Sequence, residues 1–314
     1  MRTSIIGAGL SGLLAASHFP EATIYEKNFN ENFEKHMALL RFRKPDIGDH
    51  LGISFKQVIV HKGIWHNGHY IQPSIEHCNM YAQKVSKMIN DRSIWNIDTV
   101  TRWIAPDNLH EILIDRYFKR IVWGIDYNFE WQEEENVIST MPMPAILNKL
   151  NNDDDITNDM KMHSNSIIVE RYEVDSCDAY QTVYYPSSKT NVYRASLSGN
   201  ILIVEYMVNE IGEHIPKCLE KDMHEDVLPS FGIAERSTNI LYRGTKNYGK
   251  LRPVDDRKRK ELIHHLTLKY NIFSLGRFAI WKNIMLDDVF HDIQVIKKLI
   301  NAGRYEIVKK NFNF

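Results

Sequence analysis

The chain of 314 residues has only three cysteines, Cys78, Cys177 and Cys218, and none lies in a Cys-x-x-Cys pair or at metal-ligand spacing. That scarcity excludes a disulfide framework and a cysteine-based metal centre, and it fits reduced thiols acting as small buried hydrophobes. An excess of one charge is also missing. With 39 Lys and Arg against 40 Asp and Glu, the formal net charge is -1, so no global basic field draws the chain to nucleic acid. No segment approaches the roughly eighteen apolar residues that a membrane-spanning helix requires, and the N-terminal apolar run is broken by spaced glycines, unlike a signal peptide. A soluble cytoplasmic protein is expected; the richness in Asn, Lys and Ile is the bias that AT-rich coding produces, which fits a bacterial or a viral source and, if viral, the host cytoplasm. Internal repeats and a low-complexity tail are absent as well. The remaining balance, 43% hydrophobic and 25% charged, is that of one large or two moderate globular domains.

What is present is concentrated at the start. Ser4-Ile5-Ile6-Gly7-Ala8-Gly9-Leu10-Ser11-Gly12-Leu13-Leu14 reads as a buried strand, a glycine turn and a helix start. In that order the glycines have separate tasks: Gly7 permits the tight turn, Gly9 lets the backbone approach a pyrophosphate, and Gly12 lets the helix pack close to the sheet. The helix N-terminus then offers unpaired N–H groups and a positive dipole end to an anion. Ala22-Thr23-Ile24-Tyr25-Glu26 supplies a second strand, and Glu26 falls about twenty residues after the first glycine, where a ribose hydroxyl needs an acceptor.

Further along, His36 to Pro45 carries Arg41 and Arg43, both within reach of a cofactor diphosphate. Gln57 to Val60 reads as a strand, and Gly63 to Ile71 as a hairpin closed by a type I′ Asn67-Gly68 turn. His66 and His69 beside that turn read either as metal ligands or as solvated hairpin side chains, and the lack of a third ligand at a recognisable spacing favours the second. Residues 75–92 and 107–117 have helical periodicity, and Trp65, Trp95, Trp103 and Trp123 read as core or interface fillers. Val137-Ile138-Ser139-Thr140-Met141-Pro142 is a buried strand leading into a helix opened by Pro144. After the acidic stretch 151–155, a solvated boundary loop, four runs (166–172, 180–185, 191–197 and 201–206) read as an antiparallel meander. Residues 216–230 return to helix. Tyr248 to Pro253 reads either as an anionic-substrate clamp or as a basic loop capped by Asp255-Asp256. The chain closes with a strand entering a Gly276 turn and a helix from about Asp287 to Ala302.

Three of these segments together resemble the flavoprotein superfamily of amine oxidases, protoporphyrinogen oxidase and UDP-galactopyranose mutase. They are the Gly7 to Leu13 loop with Glu26-Lys27, the Val137 to Pro142 strand end, and Ser274-Leu275-Gly276-Arg277-Phe278 followed by Trp281 and Met285-Leu286-Asp287-Asp288-Val289. The resemblance implies an α/β fold: a Rossmann-like FAD-binding domain of the GR2 type with an antiparallel-sheet substrate domain. FAD is cradled by Gly7, Gly9, Leu10, Ser11, Gly12, Glu26 and Lys27, by Thr140 and Pro142, and by Gly276, Arg277, Asp287 and Asp288. The expected FAD domain is discontinuous, 1–55, 118–150 and 265–314, with 56–117 and 151–264 binding substrate. Tyr193-Arg194, with Glu205 on the next strand, is similar to the mutases' substrate-gripping strand, although Arg194 also reads as a sheet-surface residue. The usual glycine pair after the ribose-binding acid is replaced by 38–43, so Arg41 and Arg43 stand as diphosphate ligands on position and charge alone.

The leading functional expectation is FAD-dependent oxidation of a carbon–nitrogen bond by hydride transfer to flavin N5, with Arg194 and Arg277 converging on an anionic substrate. No general base is nominated, and no second glycine-rich motif supplies a nicotinamide domain. Rival readings are a mutase-like isomerase using reduced flavin as nucleophile, a lyase or oxidase acting on an amino-modified nucleobase in DNA, and a non-catalytic nucleotide sensor. The partner is a small or nucleotide-linked anionic molecule, with modified DNA as an alternative and no membrane.

Overall fold

The computed structural model describes residues 2–30, 37–89, 94–129, 136–150, 161–208 and 215–302. The acidic stretch 151–155 and residues 31–36 fall outside them. The first half of the chain runs β1 (Thr3–Ile6), α1 (Leu10–His18), β2 (Thr23–Glu26), β3 (Arg41–Phe42), α2 (Asp46–Leu51), β4 (Lys56–His66), β5 (His69–Ile71), α3 (Ile75–Ser86), β6 (Val100–Ile104), α4 (Leu109–Tyr117), β7 (Ile121–Trp123), β8 (Asn136–Ser139) and α5 (Met143–Lys149). The second half runs β9 (Ser164–Val174), β10 (Tyr180–Tyr184), β11 (Val192–Ser198), β12 (Ile201–Met207), α6 (Ile215–Asp222), α7 (Leu228–Phe231), β13 (Thr238–Leu251), α8 (Asp256–Tyr270), β14 (Ile272–Ser274) and α9 (Leu286–Asn301).

The first sheet is parallel, in the order β14-β8-β1-β2-β7. Its strands are short apolar runs because both faces are covered: Ile5, Ile24, Val137, Ile138 and Ile272 have no exposed surface. Helix α1 packs Leu13 and Leu14 into the core beside α4 and α9, so elements distant in sequence share one apolar cluster. Register brings Ile6, Tyr25, Ser139 and Ser274 to one level, so the residues just after each strand emerge together along the carboxyl edge.

The second sheet runs β13-β9-β12-β11-β10-β4-β6-β3, with β5 added to β4. Asn67 and Gly68 have φ of 51° and 80°, both positive as a type I′ turn requires. The four-strand meander is corrected. β10, β11 and β12 are successive antiparallel neighbours, but β9 pairs with β12 and β13, while β10 pairs in parallel with β4. The reason lies in β9, whose run Ile167–Arg171 is buried and so belongs in the sheet interior. β13 fills the edge, and its polar, glycine-containing sequence lacks the alternation that marks an inner strand.

Smaller departures follow the same logic. α3 stops at Ser86, where Lys87 takes a left-handed φ of 60°. The 216–230 helix is interrupted by a π segment at Met223–Val227. Cys78 is buried as expected, whereas Cys177 and Cys218 are exposed. Trp65 is buried, but Trp95 is 56% exposed and fills no core. β3, within 1–55, joins the second sheet, and α4, within 56–117, packs into the first core. Among the described residues no helix is long and apolar enough to cross a membrane.

Candidate functional site

The carboxyl edge of a parallel sheet, where successive connections leave in opposite directions, opens a crevice. Here β1 lies between β2 and β8, and the crevice is a cavity of about 780 Å³. That is within the range of about 300–1,000 Å³ usual for small-molecule and cofactor sites.

The turn after β1 forms its floor. Gly7 has φ of 96°, and a Cβ there would stand 2.4 Å from Thr140 Oγ1. Thr140 is fixed in turn, its hydroxyl and its N–H both donating to the Ile6 carbonyl at 2.7 and 3.0 Å. Gly12 is needed for packing, since its Cβ would lie 1.9 Å from the Gly7 carbonyl oxygen. Gly9 differs from both: its backbone is extended, and a Cβ would meet no atom within 4 Å. Gly9, Leu10 and Ser11 line the cavity, and α1 has neither a side-chain cap nor an acid in its first turn. The first-turn N–H groups and the dipole are therefore presented to whatever occupies the cavity, and an anion suits them. A diphosphate fits this cradle.

Glu26 closes one side. Its Oε2 accepts the Ala8 N–H at 2.8 Å and its Oε1 the Asn28 N–H at 3.0 Å. A carboxylate has about four lone-pair sites, so capacity remains for a ligand hydroxyl. Beyond it, Lys27 and Asp126 line the cavity and pair at 3.6 Å. Lys149, 2.8 Å from Asp126, holds that carboxyl below the usual range. Tyr25 and Tyr127, edge to face at 5.1 Å, add an aromatic wall that no motif had marked.

The C-terminal segment closes the other side. Gly276 has φ of 88°, and a Cβ on it would come within 2.7 Å of Ser11 Oγ, so this turn docks directly on the start of α1. Arg277 lines the cavity beside Pro142 and Phe278, its Nη2 donating to the Gly249 carbonyl at 2.6 Å. Gly249 belongs to β13, so the Tyr248 to Leu251 stretch is the end of a strand rather than a glycine loop, and Asp255 caps α8.

Other expected residues are placed elsewhere. Gly12, Gly276, Arg43, Asp287, Asp288 and Arg194 do not line the cavity. Arg43 forks onto Asp288 at 2.9 and 2.8 Å, and its N–H donates to Asp287 at 2.9 Å, which ties the start of α9 to the chain after β3. Burial alone would raise the Asp288 carboxyl, but the Arg43 fork outweighs it and holds it low. From this helix start the cavity receives instead the apolar Met285, Leu286 and Val289. Arg194 faces Glu205 across β11 and β12 and donates to its Oε2, while the Tyr193 hydroxyl donates to Oε1 at 2.8 Å. Burial opposes ionisation of Glu205, yet Arg194 and Lys250 carry its pKa down to about 2. Arg41 lines the cavity but sends its guanidinium to the second sheet, donating to Thr182 Oγ1 at 2.8 Å and to the Leu197 carbonyl at 2.5 Å. Among the described residues no group of three metal-ligating side chains is assembled, at His66 and His69 or elsewhere.

No protein-family profile and no curated protein matches this chain by sequence. Solved structures do match in fold. A crystal structure of reduced UDP-galactopyranose mutase superposes with a TM-score of 0.66 at 14% identity, covering 99% of this chain and 96% of that one. The CLA-producing fatty acid isomerase from P. acnes gives 0.63 at 14% identity, covering 95% and 98%. A putative FAD-containing monooxygenase from Photorhabdus luminescens subsp. laumondii gives 0.55 at 11% identity, covering 98% and 91%. The fold is thus a Rossmann-like α/β architecture with a second sheet, shared end to end with these solved structures.

Proposed function

We propose that the protein binds FAD non-covalently in this cavity and oxidises a carbon–nitrogen bond of a small anionic substrate. The observation that carries the reading is the Gly9 turn, which lines the cavity with open space around it and whose helix start has no side-chain cap. The Gly276 turn, docked on Ser11 from the far end of the chain, supports an extended cofactor reaching both places. In this reading Gly9, Leu10 and Ser11 hold the diphosphate, Glu26 accepts a ribose hydroxyl, and Arg277 places a cation at the far end. When bound, FAD supplies the hydride acceptor for the oxidation. The chain's own residues orient the cofactor and exclude water, with Leu39, Leu40, Phe42, Met141 and Leu286 forming an apolar lining.

The mutase-like rival needs a paired guanidinium grip on a diphosphate. Arg194, the expected second member, is committed to Glu205, which favours oxidation of a simpler anionic amine. The test is anaerobic mixing of FAD-loaded protein with carboxylate-bearing amines, nucleotide sugars and DNA in turn. Loss of oxidised-flavin absorbance with an amine is expected. If no amine bleaches the flavin while the reduced protein isomerises a nucleotide sugar, the oxidase reading falls. Arg277→Lys should keep FAD and weaken the anionic substrate roughly tenfold, because an ammonium does not reproduce the planar fork.

A further inference from the structure

Buried charges are paired or hydrogen-bonded to opposite charge, because an isolated ion loses its hydration without return. Arg41 departs from that rule. Arg41 is half-buried, its Nε fully so, and its partners are all neutral: Thr182 Oγ1, the Leu197 carbonyl and, at 3.5 Å, the Gln181 carbonyl. Among the described residues no Asp or Glu pairs with it, and its Nε is buried without a hydrogen-bond partner. The nearest charges make matters worse. Burial, then the like charges of Arg194 and Arg102, lower its pKa to about 10, and of these Arg194 already has its own carboxylate in Glu205. An arginine keeps its proton under such pressure, and the described residues supply no anion to meet it, which leaves room for one brought by a ligand.

We propose that Arg41 is a receptor for an oxyanion of the substrate, a phosphate or a carboxylate, held on the second-sheet side of the cavity. It rests on the reading of the cavity as a flavin site, and it separates Arg41 from the cofactor diphosphate to which position alone had assigned it. Two observations separate them. The guanidinium is anchored on β10 and β11, through Thr182 and Leu197, whereas the diphosphate cradle is the Gly9 turn after β1. Thr182 Oγ1 is itself tied to Ser196 Oγ at 3.2 Å, so hydroxyls from adjacent strands flank the cation and complete a polar seat for an oxyanion.

The experiment measures the thermal midpoint and calorimetric binding of inorganic phosphate, and separately of acetate, on FAD-loaded and FAD-free protein. Flavin absorbance records loading independently. In the loaded protein the Gly9 turn is filled, so a remaining anion-dependent rise in midpoint belongs to a second site. We expect that rise with at least one of the two anions. Whichever anion binds tighter identifies the substrate group as phosphate or carboxylate. Arg41→Gln should weaken the binding about tenfold or more, Arg41→Lys by about threefold, and the exposed Arg257→Gln not at all. Without anion, Arg41→Gln should be as stable as the parent or more so, since it deletes an uncompensated buried charge. Should Arg41→Gln fail to fold, Arg41→Lys and the parent titration still decide. Three results overturn the proposal: no anion effect in the loaded parent, an effect that survives in both Arg41 variants, or an effect seen only without FAD. The last would return Arg41 to the cofactor diphosphate. A protein that takes up no FAD yet binds anion through Arg41 would refute the flavin reading and leave the anion seat standing.

Discussion

Gly9 and Gly12 lie three residues apart in different surroundings, open space at the first and the Gly7 carbonyl oxygen against the second. A side chain at Gly9 meets only open space, on a backbone any residue adopts, so Gly9→Val should leave the thermal midpoint of FAD-free protein nearly unchanged while abolishing FAD retention. At Gly12 the added carbon would meet a backbone carbonyl, and Gly12→Ala should destabilise the protein itself by about 3 kcal/mol. Thermal melts with and without added FAD separate the two, and equal losses of stability in both variants would contradict the assignment. Glu26→Ala should cost about 1–3 kcal/mol of stability, because the Ala8 and Asn28 N–H groups lose their acceptor, and should weaken FAD as well. The packing role of Gly12 was legible in the sequence, because the glycine spacing between a strand and a helix assigns it. The commitment of Arg194 was not, since the sequence places Glu205 on the next strand but only the register sets the two side chains against each other.

At the scale of elements, the β11–β12 pair carries a half-buried charge network with a pH signature. Glu205 titrates at about 2 in the folded protein, whereas in the unfolded chain an ordinary Glu titrates near 4.3. The unfolded state therefore binds the proton first, and the stability that Glu205 contributes above that range is lost as pH falls through it. The thermal midpoint should drop between about pH 4.5 and 2. Glu205→Gln should flatten that drop while lowering stability at neutral pH, because Arg194 is left without its anion. A parent and variant with parallel pH profiles would count against the network. Among the elements, the parallel strands were legible as apolar runs bounded by glycine. β13 was not, because an edge strand needs no apolar alternation, and the pairing of β9 with β12 was not, because local pattern specifies a strand but not its neighbour.

At the scale of the whole molecule, one cavity is built from segments spread along nearly the entire chain: the Gly7 to Ser11 turn, Glu26, the residues after β8, and the turn and helix start after β14. The three separated motifs and their order were legible, and the structure brings them to one sheet edge. The apolar remainder of the lining was not, since Leu39, Ile125 and Tyr127 carry no motif and are assembled only by the tertiary fold. A ligand spanning these segments binds the folded state alone, so saturating FAD at about a hundredfold over its dissociation constant should stabilise the protein by about 2.7 kcal/mol.

The account's central claim, that this cavity holds FAD, is tested most directly by denaturing the purified, FAD-supplemented and desalted protein and identifying the released chromophore. One FAD per chain, free in the supernatant and absent from Gly9→Val, is the predicted result. A colourless protein that takes up no added FAD, or a Gly9→Val variant that retains it fully, would contradict the claim.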